Sequence, residues 1–303
     1  MHLKKLLLFL LAELLFCFIV LSEDKSLIAL ADEEFNYRYQ LIGQESHELI
    51  QAFCPRLERA IELYWEALTR ASSESMLHIL FQLARGYYEL AACCDTLTVK
   101  KIYFEKGITY GRKWIEVQLS INLPDLSQAE FQRYIQEISN PGILFWLAQD
   151  FGGYLESQAK SGDVTVLHNI GTKVTNLIVL YRRSIELNPD YFGANALSSL
   201  GSLLVFLPPF LGGDFREGMN FLEKARQTHP EFLYNQVLYI KSLYFQFDLL
   251  KGFTPHKKAN RDKVAQELLT ILELPLDEYP FWNALAKKEA ERLLKEIQKR
   301  GDQ

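Results

Sequence analysis

The sequence predicts an all-α fold, a tetratricopeptide-like α-solenoid of about eleven antiparallel helices. Three observations carry that expectation. Apolar residues recur at i, i+3, i+4 and i+7 through most of the chain, which is the period of one helix face. Asn-Gly and Asp-Gly turns between alternating β-branched residues do not occur. Two similar helix endings, SIELNP at Pro189 and ARQTHP at Pro230, fall 41 residues apart with two helical stretches between them.

The first residues stand outside that fold. MHLKK is a basic head, Leu6 to Leu21 is apolar except for Glu13, and SEDKS follows, the order of an export signal. The apolar run falls short of the roughly 20 residues that span a bilayer, and Glu13 would be costly at its centre. Residues 1–31 are therefore expected to be a signal peptide or N-terminal membrane anchor, and residues 32–303 a single helical-repeat domain. Ala29-Leu30-Ala31 offers a small-x-small cleavage site before Asp32. Cys17 is a second candidate, as a lipidated cysteine, but Phe16 before it makes a poor lipobox.

The 303 residues suffice for a sizeable core, and 49% hydrophobic with 23% charged residues is ordinary globular composition. A net charge of -5 gives no sign of a nucleic-acid partner. The 20 Phe, 15 Tyr and 4 Trp fill a helical core and leave room for an apolar groove. Beyond Ala31 only Cys54, Cys93 and Cys94 remain. They read as buried small hydrophobes, or as one disulfide from Cys54 to either neighbour in an oxidising compartment.

Each helix follows from its own residues. Leu57, Ala60, Ile61 and Tyr64 set the first stripe, with Pro55 in the helix-start position. Leu77, Leu80, Phe81, Ala84 and Tyr88 set the second, where Gly86 permits close approach. Ile102, Ile108, Trp114 and Val117 mark a third, closed by Pro124. Ser127 and Glu130 form a capping box for a short helix to Ile138. Asn140-Pro141-Gly142 breaks the chain before ILFWLAQDFGGYLESQA. One long helix is expected from Val164 to Leu187, then Ala194–Phe206. Asp214 caps Phe215–Thr228. Further helices are expected over Glu231–Phe247, Val264–Leu272 and Phe281 to about Lys299.

Few residues suggest chemistry. Gly212-Gly213-Asp214 lacks the Lys-Ser/Thr of a phosphate loop and reads as a turn plus an N-cap. The six histidines show no metal-ligand spacing, and no GxSxG occurs. No catalytic residue, metal or cofactor is expected. Lys257, Lys258, Arg261 and Lys263 make a small basic loop patch facing solvent, with an acidic partner as the second reading. Trp146, Gln149, Asp150 and Gly153 share one helix face. The two polar groups there either bond a neighbouring helix or face a cavity.

Longer segments carry a resemblance. KKIYFEKGITYGRKWIEV, ILFWLAQDFGGYL, LYRRSIELNPDYFGANALSSLGSLLVFLPPFLGGDFREGMNFLEKA and LYIKSLYFQ follow in an order and spacing that resemble the T-component family of TRAP transporters. The PPFLGGD insertion is the most specific part, and the resemblance runs from about Ile61 to Leu294. It implies an exported, often lipid-anchored, periplasmic protein of degenerate tetratricopeptide units. It further implies a TRAP periplasmic substrate-binding protein as partner, a homotrimer, and a cavity for a small hydrophobic ligand. The resulting expectation is a non-enzymatic cell-envelope accessory protein, with a generic scaffold for envelope protein assembly as the alternative. The candidate ligand- and partner-binding residues are Tyr87, Tyr88, Trp114, Trp146, Gln149 and Asp150, because aromatic anchors on a concave face carry binding energy.

Overall fold

The computed structural model describes residues 26–41, 43, 45–248, 252–255 and 261–299. The Leu6–Leu21 run, Cys17, Lys257 and Lys258 lie outside the described residues. Residues 26–36 are helical (α1) and lead into a tight 3-10 turn, Tyr37–Leu41. Ala31 and Phe35 of α1 are buried in the core, so the packed body already includes the residues around the small-x-small site.

Next come α2 (Ser46–Leu68), α3 (Ser73–Cys93) and α4 (Leu97–Leu119). The body continues with α5 (Phe131–Ile135), α6 (Pro141–Lys160), α7 (Ile170–Leu187), α8 (Tyr191–Phe206) and α9 (Phe215–Thr228). It ends with α10 (Leu233–Tyr244), α11 (Arg261–Glu273) and α12 (Pro280–Lys299). A short antiparallel ribbon, β1 (Phe245–Asp248) with β2 (Gly252–Pro255), lies between α10 and α11. The expected all-helical class holds, with that ribbon as its one departure among the described residues.

Several boundaries differ from expectation for identifiable reasons. Pro55 sits inside α2, not at its start. A proline there removes one amide and strains the turn before it, and the apolar face from Leu49 to Ala67 carries the helix through. The Ser127 capping box does not form. Asp125 takes the Ser127 amide at 2.8 Å, closing a local turn, and the helix begins only at Phe131. The helix expected from Val164 is split: a 3-10 turn at Val164–Leu167 and a left-handed Asn169 (φ 54°) precede α7. The Glu231–Phe247 helix stops at Tyr244, where the ribbon begins. By contrast, Asn140 caps α6 through Gly142 and Ile143, and Asp214 caps α9 through the Glu217 amide at 2.9 Å.

Helices adjacent in sequence pack on one another from α2 through to α12, with short α5 set aside against α7. The last helix then packs on α2 as well, bringing the end of the chain back to its beginning. One disulfide, Cys54–Cys93, joins α2 to α3, and Cys94 is free.

Candidate functional site

A buried charge cluster lies where α3 meets α12. Glu89 is fully buried on α3. It accepts two bonds from the Arg38 guanidinium, both 2.7 Å, one from Arg85 Nε at 3.0 Å and one from Trp282 Nε1 at 3.3 Å. Arg38 stacks over Phe53 at 4.4 Å and Phe35 at 4.6 Å. Arg85 lies over Trp146 and Phe192, 5.2 Å from each ring. Burial alone would raise the Glu89 carboxyl. Arg38 and Arg85 outweigh it and hold the group below its ordinary range. A paired buried charge of this kind is held by its partners, and removing one typically costs about 3–5 kcal/mol.

Above this cluster the aromatic rings join. Tyr88 of α3 stacks on Trp282 of α12 at 5.8 Å with planes 16° apart. It also meets Trp146 of α6 at 5.9 Å and Phe104 of α4 at 5.7 Å. Tyr234 of α10 stands edge-on to Trp282 at 5.6 Å. Trp146 donates from Nε1 to the Tyr191 hydroxyl at 3.0 Å and meets Phe192 edge-on at 5.0 Å. Phe192, Gly193 and Ala194 open α8 in a left-handed turn, with φ of 53°, 63° and 56°. For Phe192 and Ala194 that conformation costs about 1–2 kcal/mol each. The ring contacts of Phe192 offset part of that cost.

The rings Tyr88, Phe104, Tyr234 and Trp282 floor a cavity of about 750 Å³, a size that suits a small organic ligand. Its rim is charged. Lys160 pairs with Glu156 at 2.5 Å, and Lys241 and Arg292 share Glu289 at 3.1 and 2.6 Å. Lys288 reaches Asp95 at 3.1 Å. Lys100, half-buried on α4, makes no direct ion pair among the described residues, although Glu156 and Asp95 act on it at longer range. A smaller cavity of about 380 Å³ lies beside the Pro209–Leu211 turn, where Phe210 is 84% exposed.

The candidate residues read from the sequence fall in different places. Tyr88 lines the cavity, and Trp146 lies buried directly behind it. Gln149 is bonded across helices: it accepts from the Tyr181 hydroxyl at 2.6 Å and donates to Asn195 at 3.4 Å. Asp150 lies fully buried against Gly107, and neither carboxyl oxygen has a partner. Burial pushes its pKa well above the carboxylate range. Tyr87 turns toward α4, where it stacks on Tyr110 at 5.6 Å. Burial, helped by Tyr110 and Tyr103, pushes its hydroxyl up to about 12. Trp114 is buried in the core on α4. Neither Tyr87 nor Trp114 lines the cavity.

Sequence reasoning missed Trp282, Phe192, Lys100 and the Arg38–Glu89–Arg85 cluster. Only the Arg85/Glu89 spacing of i, i+4 offered a local signal. Among the described residues no group of three or more His, Cys, Asp or Glu side chains is placed to hold a metal. None of the described helices is long and apolar enough to cross a membrane.

The fold and cavity define the class as a helical protein with a large, aromatic-floored pocket among its described residues. The family model of the TRAP transporter T-component (TAtT) matches residues 99–299, more than half of the chain. The chain belongs to the TRAP transporter T-component family. No curated protein matches. One solved structure, titled "Computational Design of Self-Assembling Cyclic Protein Homooligomers", is similar at 13% identity over 95% of this chain and 96% of that one, with a TM-score of 0.20. At that score the likeness carries no argument.

Proposed function

We propose that this protein is a non-enzymatic, exported accessory component of a TRAP transporter that docks the periplasmic substrate-binding protein. Its large cavity holds a small hydrophobic ligand. The observation that carries the reading is the family match over residues 99–299. The helices adjacent in sequence pack in series, as stacked tetratricopeptide-like pairs would, and such stacks offer an extended binding face. Tyr88 touches the ligand, and Trp146 holds Tyr88 from behind. Gln149 and Asp150 act beneath the floor, while Tyr87 and Trp114 serve the core.

The Cys54–Cys93 disulfide suits an oxidising compartment outside the cytoplasm. Export follows from the charged and apolar N-terminal residues. Ala31 is fully buried within α1, so removal of everything before Asp32 would cut a packed helix. Burial of Ala31 favours a segment that is retained, or cut upstream of α1, over cleavage before Asp32. A homotrimer is the expected assembly.

Affinity capture of the full chain from a native envelope fraction, with mass spectrometry, tests this reading. The substrate-binding and membrane components of one TRAP system should be recovered, with the bait at a mass that includes Ala31. Recovery of unrelated cytoplasmic proteins alone would sink the transporter role.

A further inference from the structure

We propose that the 750 Å³ cavity takes a flat organic anion: a multi-ring apolar body carrying one acid group, with the acid against Lys100. This rests on the ligand-binding part of the proposed function and replaces a purely apolar ligand with an amphipathic one.

The floor sets the shape of the body. Tyr88 and Trp282 lie face to face in an offset stack, and Tyr234 and Phe104 flank them. Trp282 and Phe104 are nearly covered by their neighbours, so the floor meets the cavity through ring edges and the remaining surface of half-buried Tyr88 and Tyr234, which favours a flat unsaturated body through edge contacts. Phe104 is fixed from below, because Gly153 of α6 leaves room for its ring; a Cβ there would lie 2.5 Å from it.

The wall sets the charge. The rim cations Lys160, Lys241, Lys288 and Arg292 already meet carboxylates. Lys100 makes no such ion pair among the described residues and feels Glu156 and Asp95 only at longer range, although it is half-buried beside the aromatic floor; Lys295, also outside these pairs, is exposed at the rim. Burial, and then the charge of Lys160, hold its ammonium below the ordinary lysine value. A neutral ligand seated on the floor would take more water from Lys100 and return nothing, which is costly for a charged group. An acid group at that position supplies the missing partner as a charge-assisted hydrogen bond. It does so without breaking any of the rim pairs.

Two fluorescent probes with nearly the same ring body separate charge from shape: anionic anilinonaphthalene sulfonate and neutral phenylnaphthylamine. Each is titrated into the full chain as wild type, Lys100→Met and Lys100→Arg. The methionine keeps an apolar stem of similar length, and circular dichroism confirms folding. The sulfonate probe should bind one per chain, and Lys100→Met should weaken it by about tenfold, the value of one charge-assisted bond. The neutral probe should change by less than about twofold, and Lys100→Arg should restore the sulfonate probe. Equal binding of both probes, unaltered by Lys100→Met, overturns the anion inference while leaving an apolar ligand in place. Absence of saturable binding by either probe overturns the ligand-binding reading as well, and the transporter role then stands or falls on the envelope capture alone.

Discussion

Asp150 is a carboxyl group with nothing to bond. Both oxygens are buried, and the group lies flat on Gly107, where a Cβ would come within 2.3 Å of it. Desolvation raises its pKa, so the folded protein keeps the proton where the unfolded chain gives it up. The unfolded value is about 3.9. Above that pH the unfolded state binds fewer protons than the native one, so stability falls as pH rises toward the folded pKa. Asp150→Asn removes the titration. Urea unfolding at several pH values should show the variant gaining on the wild type steadily from about pH 4 upward. A gap that stays flat with pH would mean that Asp150 ionises alike in both states. The sequence marked Gln149 and Asp150 together as polar intrusions on an apolar face. It could not separate them, because the groups that satisfy Gln149, Tyr181 and Asn195, come from α7 and α8.

The helices are set apart, or allowed to meet, by small residues. α8 and α9 cross at Gly201 and Gly218, each lying against the other's carbonyl oxygen. A Cβ at Gly218 would stand 2.6 Å from the Gly201 carbonyl oxygen, a backbone atom that cannot swing aside. Gly218→Ala should therefore destabilise the protein by about 1–3 kcal/mol, the usual cost of overpacking. Gly171→Ala, where a Cβ meets open space, is the control and should be near neutral in denaturant titrations. At this scale the sequence was readable wherever the cap was local. Asp214 announced α9 because its side chain bonds an amide three residues on, and Asn140, read only as part of a chain break, caps α6 in the same local way. It misled at Ser127, where Asp125 competes for the same amide. It misled again at Pro55, where tertiary burial of α2 overrides a local breaker. The PPFLGGD insertion read correctly as turn and cap: Gly212 has φ +90° and Gly213 lies close on the Leu207 carbonyl.

Across the whole molecule, stability depends on ties between distant segments. The Cys54–Cys93 disulfide closes a sequence separation of 39 residues. By the loop-entropy argument it stabilises the fold by about 4 kcal/mol, with native strain able to reduce that figure. Reduction, or a Cys54→Ala substitution, should lower the guanidinium midpoint accordingly without changing the helical signal of the native state. No change in midpoint would show that the bridge closes nothing the fold has not already closed. Long-range ties were the least legible part of the sequence. Tyr88 and Trp146 could be picked out as aromatic positions on helix faces. Trp282 could not be assigned to them, since it bonds Glu89 across 193 residues of chain. That bond has a consequence for biosynthesis. A ribosome must deliver α12 before the pocket floor exists, and a chain with such distant contacts closes late. On the export route proposed above this lateness is useful, because a polypeptide that has not yet sealed its core can still be threaded. A premature stop ahead of Pro280 would take Trp282 from its stack on Tyr88 and leave the pocket floor open to water.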